Sequence, residues 1–273
     1  SFACLQCEKF HYCEQCTANF LCDNHSEPQI DPFYCGVAQL RYDYIAHEVK
    51  KIEEEALLEV LHAAESYEEA ALYNTEKVMQ AFRKHMVSDF YLKPTTGYAY
   101  SDVGREKLDE IYADIFKTEA ALVRSQFVSG THALAVALLG VLKAGDEVIA
   151  ATGAPYDTMQ TIIGVPVKTP GSLTDLGVVY KEIPMIGSQI DLEKITAAIT
   201  AKTKMIHIQR SCGYSSVRKT LRIEEIGTIC KAAKAIKPDI ICFVDNCYGE
   251  FIEKQEPTEV GADLMAGSLI KNL

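Results

Sequence analysis

The sequence has no surplus of positive charge and no long hydrophobic run. Its 27 Lys and Arg residues are outnumbered by 38 Asp and Glu residues, so the formal net charge is −11 at pH 7. A surface for nucleic acid or anionic membrane needs clustered Lys and Arg, and this composition argues against both. No apolar segment reaches the length that a bilayer requires, and no signal peptide is recognisable. We therefore expect a soluble cytoplasmic protein with neither nucleic acid nor membrane as its partner.

The remaining composition is that of a globular protein, except for the distribution of cysteine. Hydrophobic residues make up 48% of the 273 residues, which is ample for a buried core. Six of the ten cysteines lie within residues 1–35. The other four lie in apolar surroundings and are predicted to be buried thiols of a reducing compartment: Cys212, Cys230, Cys242 and Cys247.

Three regions of the chain differ in their sequence patterns. Residues 1–41 are rich in cysteine and aromatic residues. Residues 42–121 begin with a stretch rich in Ala, Glu, Leu and Lys whose apolar residues recur at helical spacing, which predicts one or two long helices up to residue 88. A further helix is predicted around Arg105–Phe116. Residues 122–273 form the third region, which we expect to be incomplete at its carboxyl end because the chain stops directly after a strand-like run.

Short apolar runs alternate with helical patterns in the third region. The runs predicted as strands are residues 121–129, 147–152, 178–184, 204–210, 240–246 and 263–271. The helices predicted between them are residues 131–142, 156–163, 192–200 and 223–236. This alternation indicates an α/β fold with a mostly parallel sheet that helices cover on both faces. Ligands bind such sheets at the carboxyl ends of the strands.

The segment Ser129-Gly130-Thr131 lies between a predicted strand and a predicted helix. A glycine there lets the backbone approach an anion, and the amide N–H groups at the start of a helix favour a phosphate. The alternative is a plain turn in which Ser or Thr caps an apolar helix. Taken alone, the segment fits the plain cap better.

Asp245 and Lys271 each follow an apolar, strand-like run. A buried carboxylate needs a partner, which in a cofactor enzyme can be a protonated ring nitrogen. A lysine that faces a crevice can act as a nucleophile or bind a carbonyl covalently. The alternatives are that Asp245 caps a turn or pairs with a basic residue, and that Lys271 is a solvated side chain.

Tyr156 and Arg210 are two further candidates at strand ends. Tyr156 is able to stack on a planar ligand, although such a tyrosine is more often ordinary packing. Arg210 is able to pair with a carboxylate or phosphate of a ligand, and equally with an acidic residue of the protein itself.

The order of these residues, together with longer stretches around them, resembles one enzyme family. The stretches are TTGYAYSDVGREKLDEIYADIF, RSQFVSGTHALAVALLGVLKAGDEVIA, GAPYDT, IQRSCGYS, FVDNCYGEF and EVGADLMAGSLIKN. Over roughly residues 50–273 the chain resembles the methionine gamma-lyase-like family, often labelled aluminium resistance protein, of the fold-type I enzymes that use pyridoxal phosphate. The resemblance implies a large domain like that of the fold-type I transferases, preceded by helices and by the short Cys-rich segment.

The resemblance also implies roles for individual residues. Lys271 matches the lysine that binds the cofactor covalently, and Asp245 matches the carboxylate that keeps the pyridine nitrogen protonated. Tyr156 matches the ring stacked on the cofactor. The residues that match phosphate contacts are Ser129, Gly130, Thr131 and Ser268, and Arg210 is included among the candidate cofactor-binding residues.

A tyrosine segment of the family reaches the cofactor phosphate of a neighbouring subunit. Tyr98 and Tyr100 match it and imply a homo-oligomer. The relatives carry an arginine where this chain has Asp102, and Arg105 is a candidate substitute. The implied activity is that of a carbon–sulfur lyase acting on a sulfur-containing amino acid of the cystathionine, methionine or cysteine type, by beta or gamma elimination.

Residues 1–41 lie outside that family and suggest a rival function. Pairs of cysteines separated by two residues, as at Cys4/Cys7 and Cys13/Cys16, usually bind zinc or an iron–sulfur cluster in a reducing compartment. The segment resembles the auxiliary-cluster (SPASM-like) tail of radical-SAM maturases. A metal-binding maturation or interaction module fused to an inactive lyase-like scaffold is therefore the alternative function. The candidate metal ligands are Cys4, Cys7, Cys13, Cys16, Cys22 and Cys35.

Overall fold

The computed structural model describes residues 32–95, 97, 102–213, 215 and 218–271. Within the first of these ranges the side chains of residues 32–37, 62, 63 and 66 are not described. The chain divides into two compact units, residues 1–66 and residues 67–273.

The predicted amino-terminal helices form one continuous helix, α1, which spans Pro32–Lys84. It starts ten residues before the predicted boundary at residue 42, so the last part of the Cys-rich region is helical. In the second unit, Asn74 of α1 is 3% exposed, and its side-chain amide donates hydrogen bonds to the carbonyl oxygens of Phe251 and Glu253 at 2.9 and 3.0 Å. Among the helices of the described residues, none is long and apolar enough to cross a membrane.

The helix predicted around Arg105–Phe116 is present as α2, which spans Val103–Ile115 and follows a short 3₁₀ helix at Asp89–Leu92. Its amino-terminal cap is Asp102, whose carboxylate accepts a hydrogen bond from the Arg105 N–H at 3.2 Å. The buried side chains of α2, Ile111 and Ile115, pack into a small apolar cluster. Its other members are Ala81 of α1 and Phe116, the residue directly after α2.

The second unit contains the predicted parallel sheet. Its helices are α3 (Gly130–Val141), α4 (Asp157–Ile163), α5 (Leu192–Ala198) and α6 (Ile223–Ile236). Its strands are β1 (Glu147–Ala150), β2 (Val179–Glu182), β3 (Thr203–Gln209), β4 (Ile241–Asp245) and β5 (Leu264–Ala266). They lie in the order β2-β1-β3-β4-β5, and every pairing is parallel. The α/β fold is thus confirmed.

Side chains that alternate along the strands build two apolar cores, one on each face of the sheet. On one face, Ile206 and Ile208 of β3 pack with the residues of α5 and α6. On the other face, Met205 of β3 and Phe243 of β4 pack with α3 and α4. Because both faces are covered, the carboxyl edge of the sheet is where polar groups can gather.

The prediction of a strand over residues 121–129 is wrong. The segment is irregular because its polar residues are held by α2 instead of by a neighbouring strand. The Val123 N–H and the Arg124 guanidinium both donate to Asp109, with Arg124 contacting the two carboxylate oxygens at 2.6 and 2.7 Å. The predicted last strand, residues 263–271, is confined to β5, and the chain turns after Ala266.

Candidate active site

Three parallel strands bring the candidate residues to one edge of the sheet. Asp245, the last residue of β4, lies in register with Gln209 of β3 on one side and with Ala266 of β5 on the other. The loops that leave these strand ends, and the start of α3, surround Asp245. This is the position at which open parallel sheets bind ligands.

The Asp245 carboxylate is buried, with 2% of the residue exposed. Burial raises its pKa, while hydrogen bonds from the Cys247 N–H and thiol and the positive charges of Lys271 and Arg218 act in the opposite direction. The N–H of Cys247 donates to Asp245 Oδ1 at 3.1 Å. A carboxylate held in this way is suited to a cationic partner from a ligand, because such a partner would offset the cost of its burial.

The start of α3 has the features of an anion site. The Ser129 side chain caps the helix by accepting a hydrogen bond from the His132 N–H at 3.1 Å. The N–H groups of Gly130 and Thr131 have no hydrogen-bond partner within the described part of the chain. An ideal Cβ on Gly130 would lie 3.4 Å from Cys247 Sγ and 3.5 Å from Ser268 Cβ, so these three residues adjoin one another. Two unpaired amides, the helix dipole and a nearby hydroxyl suit a phosphate.

Lys271 lies on the turn that follows β5. Its backbone N–H donates to the Ser268 carbonyl at 3.1 Å, and its Nζ is 4.4 Å from the centre of the Tyr248 ring. The side chain is exposed. The charge of the Lys271 ammonium lowers the pKa of Asp245 and of Cys247 against the effect of burial, which raises both. The contacts with Tyr248 and Ser268 place Lys271 beside the turn that follows Asp245.

Tyr156 links the start of α3 to the edge of the sheet. Its hydroxyl and Thr131 Oγ1 are 2.9 Å apart, and its backbone N–H donates to Gln209 Oε1 at 3.2 Å. Burial raises the pKa of Tyr156 to about 12, with the Thr131 bond opposing and the charge of Asp245 adding to the increase. Tyr156 is therefore a neutral, half-buried ring fixed beside the carboxylate.

The Arg210 guanidinium is buried and binds other groups of the protein. It is 1% exposed, forms an ion pair with Glu253 at 2.8 Å, and donates to Asn246 Oδ1 at 2.9 Å and to the Gly249 carbonyl at 2.6 Å. Of the two readings of Arg210 from sequence, these contacts fit the structural ion pair. They place the guanidinium behind the turn that follows β4, and its role as a cofactor ligand stays a prediction.

Two residues near the carboxylate were missed by sequence reasoning. Cys247 lies between Asp245 and Gly130, and burial together with the Asp245 charge raises its pKa to about 12. Arg218 is half-buried; its Nη1 donates to the Ala154 carbonyl at 2.8 Å, two residues before Tyr156. The motif FVDNCYGEF was a signal for Cys247, whereas the sequence around Arg218 carried no comparable pattern.

Other predicted residues lie outside the described part of the chain or apart from the site. Tyr98 and Tyr100 are among the residues not described, as are five of the six amino-terminal cysteines and the side chain of Cys35. Arg105 Nη2 pairs with Asp102 at 3.1 Å and also binds the Gly97 carbonyl. Among the side chains that the structure describes, which do not include those cysteines, no group of three or more potential metal ligands occurs.

Three of the four later cysteines are buried, as expected. These are Cys230, Cys242 and Cys247, and all are free thiols. Cys212 is half-exposed, so the prediction of burial is wrong for that residue. It lies in the loop after β3, where its backbone N–H is bound by Thr220 Oγ1 and its carbonyl by Arg218.

The chemistry of these groups fits pyridoxal phosphate. The unpaired amides of Gly130 and Thr131, with Ser268 beside them, would bind the phosphate. Asp245 would bind the ring nitrogen, and Lys271 supplies the amine that such a cofactor requires. The site therefore has a group for each of the three requirements: the phosphate, the ring nitrogen and the amine.

The chain matches a family model described as methionine gamma-lyase over residues 49–273. It is 47% identical to the protein YnbB of Bacillus subtilis strain 168 over 235 residues, which are 85% of this chain and 56% of YnbB. The crystal structure of a Listeria monocytogenes protein involved in aluminium resistance has 46% sequence identity and a TM-score of 0.77, covering 82% of this chain and 57% of that one.

A carbon–sulfur lyase involved in aluminium resistance from Clostridium novyi gives 41% identity and a TM-score of 0.76, covering 82% of this chain and 54% of the other. The chain thus spans slightly more than half the length of each of these relatives. The extent of the family match and the shared fold lead to one assignment: the chain belongs to the methionine gamma-lyase family.

Proposed function

We propose that this protein is a carbon–sulfur lyase that uses pyridoxal phosphate and acts on a sulfur-containing amino acid. One observation carries the proposal: at the carboxyl edge of the sheet, Gly130 at the start of α3 adjoins both Cys247, which binds Asp245, and Ser268, which binds the backbone of Lys271. A buried carboxylate, an amine and an anion-binding helix end are the three groups that this cofactor needs.

Each of these groups has a task in the proposed reaction. When bound, the cofactor supplies the electron withdrawal that weakens bonds at the substrate's alpha carbon. The Asp245 carboxylate would bind the ring nitrogen and favour its protonated form, and the start of α3 would bind the phosphate. Tyr156 would stack on the ring. Lys271 removes the proton from the alpha carbon as a general base and carries protons to the product.

The leaving group is the sulfur atom of the substrate, and elimination is either beta or gamma. The substrate is a small amino acid of the cystathionine, methionine or cysteine type. We place the enzyme in the cytoplasm as a homo-oligomer, in which Tyr98 and Tyr100 would reach the phosphate of a neighbouring subunit. Carbon–sulfur lyase chemistry in the Clostridium novyi relative supports this substrate class.

The test is the absorbance of the cofactor in the protein loaded with pyridoxal phosphate. Lys271→Ala should abolish the near-ultraviolet or visible band of the lysine-bound cofactor, because no amine remains at that position to bind it. Lys231→Ala is the matched control, since Lys231 is an exposed residue of α6, on the opposite face of the sheet from α3. A band that persists unchanged in Lys271→Ala would show that the lysine is wrongly assigned.

The metal-binding hypothesis for residues 1–41 rests on cysteine spacing and resemblance alone. Metal analysis of the purified protein, with a variant in which the six amino-terminal cysteines are serine as the control, would test it. Iron with inorganic sulfide would support the maturase-like alternative, and zinc would indicate a structural site. Equal metal content in both proteins would remove the hypothesis.

A further inference from the structure

Glu250 is a buried acid whose carboxylate contacts the segment that carries Ser268 and Lys271. The residue is 1% exposed and lies five positions after Asp245, in the turn that follows β4. Its Oε1 accepts a hydrogen bond from the Ser268 backbone N–H at 2.5 Å. A bond from an amide to a carboxylate is stronger than one between neutral groups, so this contact fixes the backbone at Ser268.

The neighbouring Gly267 leaves the space that the carboxylate needs. An ideal Cβ on Gly267 would lie 2.4 Å from Glu250 Oε1 and 3.2 Å from its Cδ. Real Cβ atoms do not approach oxygen so closely, so any side chain at this position must displace the carboxylate. Glu250 therefore fits against Gly267 in shape, and it also accepts the hydrogen bond from the N–H of the next residue, Ser268.

Hydrogen bonds of backbone groups hold residues 266–271, the segment at and after the end of β5. The Ala266 carbonyl accepts a bond from the Asn246 N–H at 2.8 Å, and the Ser268 N–H is held by Glu250. The Lys271 N–H then binds back to the Ser268 carbonyl at 3.1 Å. Within the described part of the chain, the bond from the Ser268 N–H to Glu250 is thus the hydrogen bond nearest to Lys271 that ties this segment to a different part of the chain.

The turn that carries Glu250 is itself fixed by Arg210. The guanidinium binds Asn246 Oδ1 and the Gly249 carbonyl, and Gly249 packs so closely that an ideal Cβ there would lie 2.5 Å from Arg210 Cδ. Rigid contacts therefore run from Arg210 through the turn to Glu250 and on to Ser268.

We propose that Glu250 is a positioning residue that places Ser268 and Lys271 for the cofactor by holding the Ser268 amide. The identity of Lys271 as the cofactor lysine rests on the proposed function, whereas the hold on the amide does not. Burial raises the pKa of Glu250 and the charge of Asp245 adds to the increase, while the bond from the Ser268 N–H and the charge of Lys271 act in the opposite direction. The proposal stands on geometry: an acceptor oxygen of Glu250 lies 2.5 Å from the Ser268 nitrogen, in the space that Gly267 leaves free.

The first experiment reads the Ser268 amide directly in protein labelled with ¹⁵N-serine. Glu250→Ala should speed hydrogen exchange at Ser268 by at least about tenfold, since a charge-assisted bond is lost. Glu250→Gln keeps an acceptor oxygen and should retain part of the protection. Unchanged exchange in Glu250→Ala would overturn the proposal.

A pair of glycine variants tests the same contact without altering Glu250. Gly267→Ala should speed exchange at Ser268 to a similar degree, because the new methyl group displaces the carboxylate. Gly140→Ala is the matched control, since an ideal Cβ at Gly140 meets nothing within 4 Å. If Gly267→Ala leaves the Ser268 amide as protected as Gly140→Ala does, the shape argument fails. Should Glu250→Ala not fold, Glu250→Gln and Gly267→Ala decide the question.

The rate at which pyridoxal phosphate reacts with Lys271 gives a second readout. Glu250→Ala should load the cofactor at least about tenfold more slowly than the wild type, and Glu250→Gln should recover most of that rate. If the wild type takes up no cofactor, the proposed function fails and the amide measurement still decides the role of Glu250. If the wild type loads and Glu250→Ala loads equally fast, Glu250 does not position the lysine.

Discussion

Helices cover both faces of the central sheet, but the two faces differ in chemistry. On the face covered by α5 and α6, β3 and β4 contribute apolar residues up to their carboxyl ends, including Ile208 and Val244. On the face covered by α3 and α4, the same strands contribute Met205 and Phe243 to the apolar core and, towards their carboxyl ends, present His207, Gln209 and Asp245. The face covered by α5 and α6 serves stability alone. The face covered by α3 and α4 has polar residues in place of apolar ones near the candidate site.

The polar residues of the second face raise the cost of folding. His207 is 3% exposed, and its Nε2 has no hydrogen-bond partner within the described part of the chain. Burial lowers the pKa of His207 to about 4, helped by the charge of Arg218. Burial likewise raises the pKa of Asp245. Groups held against their preferred ionisation occur where a ligand is to be bound.

Asp245→Asn should have the largest effect on activity and an opposite effect on stability. Turnover should fall by at least about a hundredfold, because the carboxylate that protonates the cofactor ring is lost. The protein without cofactor should become more stable. The raised pKa means that the folded state holds the Asp245 proton more tightly, so wild-type stability falls as pH rises above the unfolded value of about 3.9.

The gap in thermal stability between Asp245→Asn and the wild type should therefore widen from pH 4 to pH 8. Thermal denaturation of the cofactor-free proteins across this range measures it. A gap that stays constant with pH, or that narrows as pH rises, would contradict the assignment of Asp245 as a buried carboxylate with a raised pKa.

Ile208→Ala tests the apolar face. Ile208 is fully buried, and the substitution should lower the free energy of unfolding by about 2–5 kcal/mol. The absorbance of the bound cofactor should stay unchanged below the melting temperature, because Ile208 points away from the site. Urea denaturation and the spectrum of the loaded protein measure both quantities. A changed cofactor spectrum with an unchanged free energy of unfolding would contradict the claim that this face serves stability and not the site.

His207→Leu should flatten the acid side of the stability profile. The unfolded state takes up a proton near pH 6.5 and the folded state only near pH 4, so stability is lost as pH falls through this window. The loss amounts to about 3 kcal/mol for a shift of this size. His47→Gln is the control, because the His47 side chain is 80% exposed. A stability difference between the wild type and His207→Leu that stays constant from pH 7 to pH 4 would contradict the burial of a neutral imidazole.

Sequence reasoning succeeded where the signal was local. Residues 223–236 were predicted as a helix, and α6 has these bounds, because its apolar spacing is contained in the segment itself. The cap of α3 by Ser129 and the strand end at Asp245 depend on neighbours within a few residues in the same way. Short-range patterns therefore located both the sheet and its carboxyl edge.

The prediction failed where distant residues decide the structure. Residues 121–129 look like a strand, but Asp109 of α2 takes the donors of Val123 and Arg124. Glu250 escaped notice because its partner, the Ser268 amide, is 18 positions away and belongs to the backbone. No pattern of residue types reveals such a contact before the strands are placed in order.

The most direct test of the account is chemical labelling of the cofactor-binding residue. The wild-type protein is loaded with pyridoxal phosphate, treated with borohydride to make the link to the amine permanent, and digested for mass mapping of its peptides. The account predicts that the added mass lies on Lys271 and that Asp245→Asn weakens loading without moving the label. A label on another lysine, or none in protein that is folded and saturated with cofactor, would contradict it.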